Sequence, residues 1–240
     1  MWVCSFIGAM KEFLKKLLKW LIYALLFFFS STVFFVLLYR FINPPLTPLM
    51  LSRVLGQTFH GEKIKLTKQW ISLDKISPDL QLAMVASEDN LFLEHHGFDF
   101  EAIDKANDFN DRKKGKRLHG ASTISQQTAK NVFLWSGRSW IRKGFEAYFT
   151  VLIEFVWPKK RIMEVYLNVI ETGDGIYGAE MASESYFRKP AFRMTRSEAA
   201  LLAAILPNPR KWNPVHPTSY ILSRQQWILW NMGNIGNLKY

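Results

Sequence analysis

Between Leu21 and Tyr39 the chain reads LIYALLFFFSSTVFFVLLY, an uncharged run whose only strongly polar breaks are Ser30, Ser31 and Thr32. That length suits one helical crossing of a hydrocarbon layer about 30 Å thick, so a transmembrane helix is expected over residues 20–41. Lys11, Lys15, Lys16 and Lys19 precede the run, and only Arg40 and Arg53 follow closely. The positive charge before it places residues 1–19 in the cytoplasm and everything after Arg40 outside. Trp20, Tyr23 and Tyr39 stand where interfacial aromatics belong. A cleaved signal peptide fits less well, because the run is long and no clear small-residue cleavage site follows it.

With 240 residues, 49% of them hydrophobic, the chain has room for one such span and one domain with a sizeable core. The prolines of Asn43-Pro44-Pro45-Leu46-Thr47-Pro48 lack amide donors and have fixed φ, which predicts a stiff connector over 42–69. The domain is expected over 70–232, with a short tail at 233–240. Its pattern is mostly helical, and no window shows the sustained two-residue alternation of a half-buried sheet. The net charge of +11 calls for an acidic partner: a nucleic acid, an anionic membrane surface or a phosphate-bearing substrate. Cys4 is the single cysteine, which excludes an intrachain disulfide and a cysteine metal cluster.

Four segments carry chemical interest. In Asp79–Asn90, Leu80, Met84 and Glu88 fall at helical spacing, so Glu88 continues a buried stripe and is poorly solvated. In Gly120–Asn131, Thr123 and Gln126 have capping-box spacing after a glycine. The helix they open puts Thr123, Gln127 and Lys130 on one polar face and Ile124, Thr128 and Val132 on another. Arg138–Glu146 is the third segment. In the fourth, Pro158–Asn168, Pro158 suits a first helical turn and Ile162, Val165, Tyr166 and Val169 form an apolar face. Thr195 and Glu198 mark a second capping box, opening a core helix that Pro207 ends. The basic stretch Asp111–Arg117 is either a mobile element near anionic headgroups or an ordinary solvated loop.

Two glutamates in apolar settings, Glu88 and Glu146, together with Lys130, Arg138, Arg142 and Lys143, suggest carbohydrate chemistry beside a phosphate. Pyrophosphate leaves a sugar readily once cations offset its charge, whereas a sugar hydroxyl attacks poorly unless a carboxylate takes its proton. Glu88 fits that base. Read alone, a glutamate near a helix end is more often a cap or a surface ion-pair partner, and the spacing of Arg142, Lys143 and Glu146 favours an ordinary intrahelical salt bridge. His95 and His96 lack the spacing of a helical metal pair, so His95 is expected to be a structural hydrogen-bonding residue. Trp135, Trp140 and Trp157 suit core, membrane contact or sugar stacking.

The segments occur together in the order of one family. Glu88-Asp89-Asn90-Leu91-Phe92-Leu93-Glu94-His95-His96-Gly97, Gly120–Asn131, Arg142-Lys143-Gly144-Phe145-Glu146 and Lys159–Asn168 resemble the four motifs of the peptidoglycan glycosyltransferases. Gly175–Glu180, Tyr186-Phe187 and Leu206-Pro207-Asn208-Pro209 extend the match, which runs from about Ser77 to Asn213. The resemblance implies a mainly α, lysozyme-like, two-lobed glycosyltransferase domain preceded by one N-terminal transmembrane helix, its lower lobe dipping into the membrane. Only 27 residues follow Asn213 (240 minus 213), so no transpeptidase domain is expected and the monofunctional kind is implied.

The implied reaction polymerises lipid II into β-1,4 glycan with inversion on the outer side of a bacterial cytoplasmic membrane. The implied partners are lipid II, the growing glycan and membrane lipids, with cell-division or elongation proteins conceivable and no nucleic acid. By resemblance, Glu88 and Glu146 are catalytic, Glu88 as the base on the acceptor 4-hydroxyl and Glu146 near the donor pyrophosphate. Lys130, Arg138, Arg142 and Lys143 neutralise that pyrophosphate, and Asp89, Ser122, Gln126 and Gln127 bind substrate. Phe92, Glu164, Tyr166 and Asn168 support the cleft. No obligatory cofactor is implied, though a magnesium or manganese ion could sit at the pyrophosphate. Asn90 and Leu91 replace residues usually polar or basic in the family, and His96 and Thr172 replace residues often aromatic. A lysozyme-like hydrolase and a non-catalytic cell-wall scaffold are the alternatives; the basic set argues against the first, and its retention with both glutamates against the second.

Overall fold

A computed structural model describes residues 2–112, 120–137 and 139–240, with side chains in the first helix from residue 10 onward. Arg138 and the basic stretch from Lys113 to Arg117 lie outside the described residues. The chain forms two compact units, residues 1–42 and 43–240.

The first unit is the helix α1 (Trp2–Phe41). Its segment Met10–Phe41 contains an 18-residue stretch with a mean hydropathy of 2.5 and is long and apolar enough to cross a membrane. Leu21, Leu25, Phe27, Phe34 and Leu37 are all exposed. The hydroxyls of Ser31 and Thr32 donate back to the Phe28 carbonyl at 3.0 and 2.9 Å, so these two polar breaks are satisfied within the helix.

The second unit contains α2 (Pro48–Phe59), α3 (Pro78–Glu88), α4 (Phe100–Arg112), α5 (Ile124–Phe133), α6 (Trp140–Val156), α7 (Lys159–Val169), α8 (Ala179–Phe187), α9 (Arg196–Ile205) and α10 (Ser219–Ile235). The segment read as a connector holds α2. Thr47 caps it, accepting from the Met50 amide at 3.3 Å, and Pro48 stands in its first turn, where a missing amide proton costs nothing. Both expected capping boxes are formed, Thr123 with Gln126 at α5 and Thr195 with Glu198 at α9. The helix read from Pro158 is α7, with Ile162, Val165, Tyr166 and Val169 all fully buried.

The helices pack as two groups. One is α3 with α9 and α10; the other is α5 with α6 and α7, onto which α2 also packs. Leu80 through Ala86 are buried without a break, so this part of α3 is wrapped on every side, and its last two residues, Ser87 and Glu88, emerge half-buried onto open space. This mainly helical, lysozyme-like architecture is the expected class. A small sheet, absent from the sequence reading, orders β1 (Thr67–Lys68), β3 (Ile176–Tyr177) and β2 (Glu171–Gly173), with β1 parallel and β2 antiparallel to β3. It staples the chain after α2 to the hairpin that follows α7.

Candidate active site

Glu88 is half-buried where α3 ends. Its Oε1 accepts from Ser87 Oγ at 3.0 Å and its Oε2 from Gln127 Nε2 at 2.8 Å. Both are neutral donors, and no ion pair reaches Glu88 among the described residues, so the carboxylate is oriented without being quenched. It opens on a cavity of about 720 Å³ whose wall includes Asn90, Gly120, Ala121 and Trp227.

Asp89 serves the neighbouring framework. It is buried, accepting from His95 Nε2 at 2.7 Å through one oxygen and from the Ile124 amide at 2.9 Å through the other. The Gly97 amide donates to His95 Nδ1 at 3.1 Å, which leaves Nε2 to carry the ring proton toward Asp89. Thr123 Oγ1 donates to the Gly97 carbonyl at 2.7 Å. One buried carboxylate therefore ties the turn after α3 to the first turn of α5, holding Glu88 and Gln127 in register. Gly97 itself has φ +92°, and a Cβ there would lie 2.8 Å from Thr150 Cγ2 and 2.9 Å from Glu154 Cγ. Gly97→Ala should therefore destabilise the fold by about 1–3 kcal/mol, read as the shift in a denaturation midpoint. A shift below about 0.5 kcal/mol would mean that the turn yields freely.

A second cavity, of about 380 Å³, is lined by Gln127 and Lys130 from α5, Arg142 from α6, Tyr166 from α7, and Arg53, Trp135 and Glu171. Gln127 thus belongs to both places: it lines this basic cavity and holds the carboxylate that faces the other. Burial pushes the Lys130 ammonium below its ordinary pKa; Glu146 and Glu88 draw it up, while Arg142 and Lys143 depress it further. Burial, with Glu88 and Asp89 adding to it, holds the Tyr166 hydroxyl well above the usual phenol range, so it stays a donor beside Gln127 Oε1 at 3.5 Å.

Glu146 is buried and bonded to Lys143 Nζ, with Arg142 Nη1 3.5 Å from its other oxygen. The intrahelical ion pair read from spacing is present, and Arg142 also lines the basic cavity. Because both carboxylate oxygens face cations, Glu146 is a poor ligand for a divalent ion, and no group of three His, Cys, Asp or Glu side chains converges among the described residues. Among the described residues the donor set does not fit a metal held by protein side chains alone.

The remaining residues lie behind the cavities. Gln126 is buried and used in the capping box, its Oε1 accepting from the Thr123 amide at 3.0 Å. The Ser122 carbonyl lies 3.4 Å from Gln127 Nε2. Phe92 is fully buried, with Lys159 Nζ 4.8 Å above its ring. Glu164 pairs with Arg161 at 2.5 Å and accepts from the Leu73 amide at 3.3 Å. Asn168 is buried and exchanges two 2.9 Å hydrogen bonds with the Ile71 backbone. These last two pin residues 71–73 onto α7. Of the flagged tryptophans, Trp157 is core, Trp140 is 91% exposed and Trp135 joins the basic cavity. Arg53 and Glu171 border the basic cavity and Trp227 the other without having been singled out in the sequence as candidates; the arginine entered there only as a charge following the apolar run.

A helical domain that sets an oriented, unpaired carboxylate beside a cavity walled by lysine and arginine defines an enzyme of the glycosyl-transfer class. The chain belongs to the transglycosylase family, whose model matches residues 55–233. It is 53% identical over 215 residues to the biosynthetic peptidoglycan transglycosylase of Bdellovibrio bacteriovorus, covering 90% of this chain and 85% of that one. It is likewise 53% identical over 216 residues to the protein of that name from Bacteroides thetaiotaomicron, covering 90% and 86%. To that from Xanthomonas campestris pv. campestris it is 48% identical over 227 residues, covering 94% and 92%.

Proposed function

We propose that this chain is a peptidoglycan glycosyltransferase that polymerises lipid II on the outer face of a bacterial cytoplasmic membrane, anchored by α1 with its N-terminus in the cytoplasm. The observation that supports the reading is Gln127, which lines the basic cavity and donates to the carboxylate of Glu88, a carboxylate without an ion-pair partner among the described residues. Glu88 takes the proton from the acceptor 4-hydroxyl as that oxygen attacks the donor's anomeric carbon from the face opposite the pyrophosphate, so the α-linked donor gives a β-1,4 link. The sugar–oxygen bond to the pyrophosphate breaks, and the polyprenyl diphosphate leaves with its charge held by Lys130, Arg142 and Lys143, joined by Arg138 on the strength of the resemblance. Glu146 orients Arg142 and Lys143, and Asp89 positions the base. The Ser122 carbonyl steadies Gln127, while Phe92, Gln126, Glu164, Tyr166 and Asn168 hold the frame around it.

A hydrolase needs an acid to protonate a neutral leaving group. Glu88 can supply that acid, but a neutral leaving group makes the basic clamp around Lys130 and Arg142 superfluous, and the clamp is what argues for transfer from a diphosphate. The test is a polymerisation assay with purified full-length protein in detergent. Lipid-linked disaccharide-peptide should be converted into long glycan, in the presence or absence of a chelator if the basic side chains suffice. Release of soluble fragments from mature cell wall, without polymer, would overturn the assignment.

A further inference from the structure

Arg53 and Glu171 line the basic cavity with Lys130 and Arg142, yet neither belongs to the motifs that carry the family resemblance. Arg53 Nη2 donates to Glu171 Oε2 at 3.1 Å, across 118 positions of sequence. Its Nε is buried and makes no hydrogen bond among the described residues. A guanidinium offers five N–H groups in a fixed fork, so the ion pair leaves donors free for a second anion. The place of Arg53 does not depend on Glu171 alone, because the adjacent Ser52 hydroxyl accepts from the Ser136 amide at 3.3 Å and docks α2 against the turn that follows α5. Lys130, Arg142 and Arg53 face one lining carboxylate, that of Glu171, an imbalance that suits a ligand with more than one negative charge.

Resting on the glycosyltransferase reading, we infer that Arg53 is a further binding residue for the donor's diphosphate, with Glu171 serving to aim its guanidinium. Arg53 keeps Glu171 through one N–H and presents another to a phosphate oxygen, so α2 contributes a cation from outside the recognised motifs. Glu171 also moderates the positive charge of the cavity.

The test uses the full chain in detergent, with lipid-linked disaccharide-peptide for turnover and inorganic pyrophosphate for calorimetric titration. Arg53→Gln should raise KM for the lipid-linked donor and the pyrophosphate Kd by about ten-fold each, with kcat changed less than about two-fold. Glu171→Gln keeps an acceptor for Arg53 while removing a negative charge, so it should bind pyrophosphate at least as tightly as the wild type. Opposite responses of the two variants support the assignment. If both lose affinity and thermal midpoint together, the pair is structural and the inference falls. It falls equally if Arg53→Gln leaves KM and Kd unchanged while polymer is still made. Should pyrophosphate binding respond as expected while the wild type makes no polymer, the glycosyltransferase reading fails and the anion site stands.

Discussion

Glu88→Gln should lower the polymerisation rate by about 10²- to 10⁴-fold, the range typical of a general base, while the far-ultraviolet spectrum and thermal midpoint stay near those of the wild type. The substitution is nearly isosteric, and a carboxamide oxygen can still accept from Gln127 Nε2, now 2.8 Å from the carboxylate. No ion pair is broken among the described residues, so the framework has little reason to respond. What disappears is the negatively charged, basic carboxylate oxygen that receives the acceptor's proton. A rate within about two-fold of the wild type would remove Glu88 from the mechanism altogether.

Lys130→Met should abolish measurable polymerisation, a loss of about 10²- to 10³-fold or more, without lowering the thermal midpoint. Burial depresses the Lys130 pKa, so the native state disfavours the ammonium that the leaving pyrophosphate requires. The sign follows from proton counts. Between the lowered folded value and the ordinary lysine value the unfolded chain binds more protons, so the stability contribution of this group improves as pH rises through that window. Activity runs the other way, because the same rise removes the charge that holds the leaving group. The wild-type enzyme should therefore show an alkaline limb below the ordinary lysine range. Methionine removes both effects while keeping a long apolar stem against the cavity wall. If Lys130→Met keeps more than about a tenth of the rate, Lys130 is not a principal stabiliser of the leaving group.

Both predictions concern side chains that sequence patterns had singled out, but the reason they act together is spatial. The α5 capping box was readable because its two residues are three apart and its hydrogen bonds are local. The α7 stripe was readable because helical period alone decides which side faces the core. Within the stretch taken as a connector, Thr47 and Pro48 form a helix start, and the neighbouring prolines masked it. The three-stranded sheet left no periodic trace, since its strands span two or three residues and Thr67 pairs with Ile176, a partner far along the chain.

The sequence by itself determined the long apolar helix, the main capping signals and which carboxylates and cations are candidates for the site. Each of these is set by residues in a row or within one helical turn, where backbone geometry leaves few choices. Only the tertiary structure decided that Gln127 reaches Glu88 across 39 positions, that Asp89 is spent on His95 and the α5 backbone, and that Arg53 meets Glu171 beside Lys130. Those contacts depend on how the two helical groups close on each other, through close packing of buried side chains distant in sequence, and no local pattern encodes a distance between them.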